Sequence, residues 1–302
     1  MFNTVSTATN LFLANLSNLE QRLTTSQLQL TSGLRINNVS DAPDQVGQML
    51  QLKADISRNN QIKTNLTTVQ AEVNSAESAI NTAGLLMDKA VQLASQGNNT
   101  TTTVDQRKLL ATQVEAIMTQ MVNLANTKFE NRYIFSGNND QVQPYAGVDL
   151  TQPNGAGTYQ GSANNKQVEG SNGSNLTVSL TAAQIFDGGG PTTSVFQVLT
   201  SLYNDLMTNN TANLSTDSAN LSTASGYLSA QQAQYGNFQN QITDALTYQG
   251  QLDTQFKAQL SAVQDADPIA AATALTQGET SLQAALQAEA AMPKKSLFDY
   301  IG

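Results

Sequence analysis

Val5, Thr9, Phe12, Leu16, Leu19, Leu23, Ser26 and Leu30 recur at alternating steps of four and three. That spacing lays a narrow apolar stripe along one face of a helix, and only a second helix with a matching stripe buries it well. The pattern returns along the chain. Ile62, Leu66, Val69, Val73, Ala76, Ile80, Ala83, Met87, Ala90 and Ala94 form a second, longer seam, in which alanine permits close approach. Leu110, Val114, Ile117, Met121 and Leu124 form a third. Near the other end, Leu228, Tyr235, Phe238, Ile242, Ala245, Leu252, Phe256 and Val263 give a further seam, interrupted by Gln231, Gln249 and Gln259. A chain built this way is committed to long helices that lie against one another.

The helix boundaries are marked by residue chemistry. The first helix runs out near Gly33, the second in Gly97-Asn98-Asn99 and the third at Asn126. The last helix starts at Asp267-Pro268, since Asp caps well and proline fits the first helical position, where its missing N–H costs nothing. Its apolar face is Ala272, Leu275, Leu282 and Leu286. Between the halves the character changes. Tyr133-Ile134-Phe135 predicts a strand, and glycine, proline and asparagine then punctuate short β-prone runs at Gly157 to Gln160, Lys166 to Glu169 and Leu176 to Leu180. Helical spacing resumes with Val195, Leu199, Leu202 and Leu206.

The fold class expected is mainly α with a β-rich insertion. Narrow stripes at both termini need each other or a neighbouring subunit, because an isolated helix cannot bury its own. The expected architecture is therefore an elongated rod of antiparallel helices in coiled-coil packing, with the N- and C-termini together and a small β domain at the far end. The corresponding divisions are residues 1–45 with 260–302 as a terminal coiled-coil assembly domain, 46–136 with 192–259 as a helical bundle, and 137–191 as the insertion.

Composition excludes more than it proposes. With neither cysteine nor histidine, the chain lacks disulfides, thiolate nucleophiles, imidazole bases and the usual nitrogen and sulfur metal ligands. A formal charge of -9 with only 14 Lys plus Arg, none of them clustered, argues against nucleic acid. No stretch reaches transmembrane length, and the first residues lack the basic and apolar regions of a secretory signal peptide. No enzyme activity, cofactor or membrane contact is expected. Asp41 and Asp44 read either as a carboxylate pair for catalysis or a cation, or as caps on the next helix, the last being favoured at a helix N-terminus. Gly188-Gly189-Gly190-Pro191 lacks the lysine of a phosphate loop and reads as a hinge.

Thr31-Ser32-Gly33-Leu34-Arg35-Ile36-Asn37-Asn38-Val39-Ser40-Asp41-Ala42-Pro43-Asp44 resembles the segment that follows the first helix in the bacterial flagellin family. The C-terminal run from Asp265 through Leu282 and Leu286 to Ser296-Leu297-Phe298-Asp299-Tyr300-Ile301 resembles the closing helix and tail of the same family. Pro43 beside the acidic residues and Asn131-Arg132-Tyr133-Ile134-Phe135-Ser136-Gly137 are more similar to its hook-filament junction members than to filament flagellin, which is the alternative. A protease-bearing relative would require histidine. Two departures stand out: the second consecutive acid after Asp41 is missing, and Met292-Pro293 falls where relatives continue the last helix.

The resemblance implies an extracellular structural role in the flagellum. It implies self-assembly into a ring, with a hook-associated protein on the hook side and flagellin polymerising on the filament side. It also implies export through the flagellar type III apparatus without a cleaved signal peptide, aided by a chaperone. The residues expected to form the assembly interface are Phe12, Leu16, Leu19, Leu23, Leu30, Leu275, Leu282, Leu286, Leu297 and Phe298.

Overall fold

The computed structural model describes residues 2–170 and 173–291, with side chains over 9–170 and 173–290. Six α-helices dominate these residues: α1 (Phe2–Ser32), α2 (Pro43–Gly97), α3 (Val104–Ala125), α4 (Val195–Met207), α5 (Thr211–Gln264) and α6 (Pro268–Ala291). The caps are those the sequence chemistry demands. Thr103 accepts from Gln106 N–H and Gln106 reaches back to the Thr103 N–H, a reciprocal box at the start of α3. Ser194 accepts from Gln197 N–H to open α4, and Asp267 accepts from Ile269 N–H at 2.8 Å to open α6. Asp41 behaves differently from the expectation. Its carboxylate accepts the N–H groups of Asn37 and Asn38 at 2.9 and 2.7 Å, and so closes the 3₁₀ turn Val39–Asp41 instead of capping α2.

Contacts divide the chain into two compact units, Met1–Arg58 with Leu252–Gly302, and Asn59–Gln251. Both divisions fall inside a helix, α2 and α5, whereas the sequence pattern places them at 45/46 and 259/260.

The core of the second unit confirms the long seam: from Leu66 to Ala94 each predicted position of α2 is buried, and Ile62 packs against the cluster. Leu110, Val114, Ile117 and Met121 of α3, the four positions of α4, and Leu228 to Ala245 of α5 share that core. The segment between α3 and α4 contributes its aromatic side chains to it. Phe135 meets Phe186 edge to face at 6.0 Å and Tyr235 at 6.4 Å, while Tyr145 meets Phe196 of α4 at 4.9 Å. Offset and edge-on ring pairs of this kind add specific geometry to simple burial.

Strands are shorter than the β-prone runs suggest, and not every run forms one. β1 (Lys128–Phe129) pairs with β2 (Arg132–Tyr133), and β3 (Gln167–Glu169) pairs with β4 (Asn175–Thr177), both antiparallel. Ile134 and Phe135 leave the strand because their side chains are drawn into the core, 3% and 0% exposed. Gly157 to Gln160 forms no strand, and the run from Val178 onward leaves β4 to feed the core.

Candidate assembly interface

The terminal unit is built around the segment that follows α1. Gly33 adopts φ +70°, a conformation that terminates a helix without strain only when no Cβ is present. The chain then runs antiparallel beside the link between α5 and α6. Leu34 and Asp265 form a bridge, Arg35 N–H donates to Gln264 O at 2.7 Å, and Ala266 N–H donates to Gly33 O at 2.9 Å. The Arg35 guanidinium donates to Val263 O at 2.6 Å, placing a cation on the carbonyl end of α5, where the helix dipole favours it. Ile36, Ala42 and Met49 form a small core with Leu260 and Val263. The run Gly33-Leu34-Arg35-Ile36 is thus a clasp: glycine turns, arginine caps the opposite helix, and isoleucine seals the joint.

From this clasp α1 and α6 pack against each other. Phe12, Leu16, Leu19 and Leu23 of α1 and Leu275 and Leu282 of α6 are half-buried, as a two-helix pair must leave them. Small residues complete the line: Ser26 and Ala271 are buried, and Gly278 receives Leu23. A Cβ on Gly278 would stand 2.6 Å from Leu23 Cδ2, so this glycine fixes how the two helices interlock. The least exposed line on α6 runs from Ala271, which is buried, through Leu275, Gly278, Leu282 and Ala285, which are half-buried, at steps of four and three. Leu30 and Leu286 lie outside it, 42% and 49% exposed, and Leu11, Leu13 and Leu28 are exposed as well. Leu297 and Phe298 lie outside the described residues. Ser26 stood in the predicted seam of α1, whereas the sequence pattern missed Ala271 and Gly278 on α6, because small residues carry little apolar signal and their heptad positions were the only cue.

Away from this arm, the perturbed tyrosines Tyr145 and Tyr235 serve packing. Burial, and then the neighbouring Asp187, raises Tyr145, whose hydroxyl donates to Asp187 at 2.7 Å; burial also raises Asp187 itself. Tyr235 is buried, and its hydroxyl oxygen accepts from Leu180 N–H at 3.2 Å. Among the described residues no group of three or more Asp, Glu, His or Cys is placed to hold a metal, and no helix is long and apolar enough to cross a membrane.

These features define a class, a mainly helical protein whose first and last helices pair and keep leucines exposed. Residues 2–140 match the bacterial flagellin N-terminal helical region. The chain is 26% identical to flagellar hook-associated protein 3 of Escherichia coli strain K12 over 295 residues, which cover 89% of this chain and 90% of that protein. It is 28% identical to flagellar hook-associated protein 3 of Salmonella typhimurium over 160 residues, 53% of this chain and 48% of that protein. The solved structure of flagellar hook-associated protein 3 from Legionella pneumophila has the same fold, with a TM-score of 0.62 at 15% identity, covering 70% of this chain and 98% of that one.

Proposed function

We propose that this chain is a structural subunit of the bacterial flagellum, the hook-filament junction protein, which forms the platform on which flagellin polymerises. The observation that carries the reading is the paired terminal arm: α1 and α6 share a heptad seam that two helices leave half-buried, beside exposed leucines. Apolar stripes of that kind are stabilised further by a neighbouring copy. The similarity to hook-associated protein 3 of Escherichia coli over 90% of that protein's length supports the junction over the filament. In this reading copies assemble into a ring, with another hook-associated protein on the hook side and flagellin on the filament side. A chaperone keeps the seams covered before export through the flagellar type III apparatus, and the protein acts outside the cell without catalysing a reaction. The surface suits such packing. Only 12% of residues are charged, so few ions lose their hydration when subunits meet.

The test is deletion of the gene, with the cells examined by electron microscopy and the medium assayed for flagellin. Hooks without filaments and intact flagellin shed into the medium are expected. Loss of the filament subunit itself would make this chain the flagellin, and normal filaments would overturn the junction role.

A further inference from the structure

The corner between α4 and α5 holds a carboxyl pair that the assembly role does not require. Asp217, on the second turn of α5, is 2% exposed. One carboxyl oxygen, Oδ1, accepts from the Ser201 hydroxyl of α4 at 2.7 Å, while Oδ2 has no hydrogen-bond donor. Asp205 stands one helical turn after Ser201 on the same face of α4, the face that meets Asp217. Asp205 is itself anchored, since its Oδ1 accepts from the Asn210 amide at 2.8 Å and its backbone carbonyl accepts from Asn210 N–H at 2.8 Å. Two carboxylates cannot be held together in a dry site unless something cationic lies between them, and a proton is the smallest such species.

We propose that Asp205 and Asp217 share one proton, and that this pair is a pH-sensitive latch on the α4–α5 corner, closed while the proton is held and loosened when it is lost. The groups facing Asp217 are Ser201 and Asp205 from α4. The nearby cation of α3, Arg107, is committed to Gly97 O, Asn99 O and Asn209 Oδ1. Ser201 is exposed and lines a cleft with Thr200, Asn204 and Asn220, which gives the proton a route to solvent. Burial is the largest cause raising the Asp217 carboxyl to about 6; the Ser201 hydrogen bond opposes it and Asp205 adds to it.

The sign follows from that direction. The folded value lies above the ordinary carboxylate value, so the protonated pair contributes fully below about pH 4, and the contribution is lost as pH rises through about 6. The latch also acts beyond its own corner. Asn209, held at φ +58° in the same turn, is the residue Arg107 grips, and Arg107 in turn closes the end of α2.

The experiment uses the full chain. Carbon-13 carboxyl titration of wild type should show Asp217 near pH 6, with Asp205→Asn moving it down toward the ordinary range. Thermal unfolding of wild type and Asp217→Asn between pH 4 and pH 8 should give a Tm advantage of the variant that grows by about 4 °C across the window and is level above pH 7. An Asp217 carboxyl titrating near pH 4, or a Tm difference constant with pH, would overturn the latch. So would calcium or magnesium ions raising the wild-type Tm at pH 7.5 but not that of Asp217→Asn, because the pair would then hold a metal ion. If Asp217→Asn fails to fold, the wild-type titration decides alone.

Discussion

Arg107 shows how much one residue can hold in this fold. It is 7% exposed, and its guanidinium donates to Gly97 O at 2.8 Å, Asn99 O at 3.1 Å and Asn209 Oδ1 at 2.8 Å. None of these three is a carboxylate, so the charge is stabilised by dipoles: the carbonyl end of α2 and one side-chain amide. Arg107→Met should therefore cost about 3 kcal/mol, since it strands those oxygens in a dry site while keeping most of the apolar stem. Urea unfolding followed by circular dichroism would read the loss, and a change under about 0.5 kcal/mol would show that water replaces the donor. At this scale the sequence was least legible. A lone arginine in the first turn of a helix reads as solvated, and Asp41 reads as a cap for the wrong helix, because both depend on which distant carbonyl or nearby amide the backbone presents. Of the clasp residues, Gly33 was legible as the end of the first helix and Arg35 stood out only through the resemblance; their joint task, turning α1 and capping α5, needs the partner segment in place.

Whole elements were more legible, and the reason is periodicity. The α2 seam, Ile62 to Ala94, was read correctly because ten positions vote for one phase. The β segments were not, because each strand has two or three residues and its extent is set by what the next side chain buries. Glu130 and Asn131 both have positive φ, 46° and 65°, forming a tight two-residue hairpin without the usual glycine that would announce it. Polar residues within seams were also hard to place. Gln249 interrupts the α5 stripe yet is 2% exposed, and its backbone carbonyl accepts from the Asn59 amide of α2 at 2.9 Å, with Asn59 3% exposed. The Asn59 Oδ1 has no donor. Buried amides with an unmet acceptor cost stability, while fixing which turns of two helices face each other. Asn59→Leu should accordingly raise the unfolding free energy by about 1 kcal/mol, as read by urea unfolding of the full chain. A destabilisation of similar size would mean that the Asn59–Gln249 hydrogen bond outweighs the orphaned oxygen.

For the molecule as a whole, the terminal arm decides between a protein that is complete alone and one completed by its neighbours. The heptad stripes of α1 and α6 were legible in sequence, and so was the need for a partner. What the pattern could not say is how the cover is divided between the opposite helix and other copies, because a stripe has one face and packing with Gly278 and Ala271 depends on register. Leu282→Asp puts a charge on the half-buried line and should leave a soluble chain whose Asn59–Gln251 unit unfolds normally, yet one that does not restore filaments to a deletion strain. That result alone would also follow from simple unpairing of α1 and α6. Leu286→Asp separates the two causes, since Leu286 is 49% exposed beside the line and its substitution leaves the pair intact. If exposed leucines of the arm meet neighbouring subunits, both variants fail to restore filaments, although only the first lowers the helix content of the monomer. Normal filaments with Leu286→Asp would confine the role of α6 to pairing with α1, and normal filaments with both would mean the seam is not an interface at all.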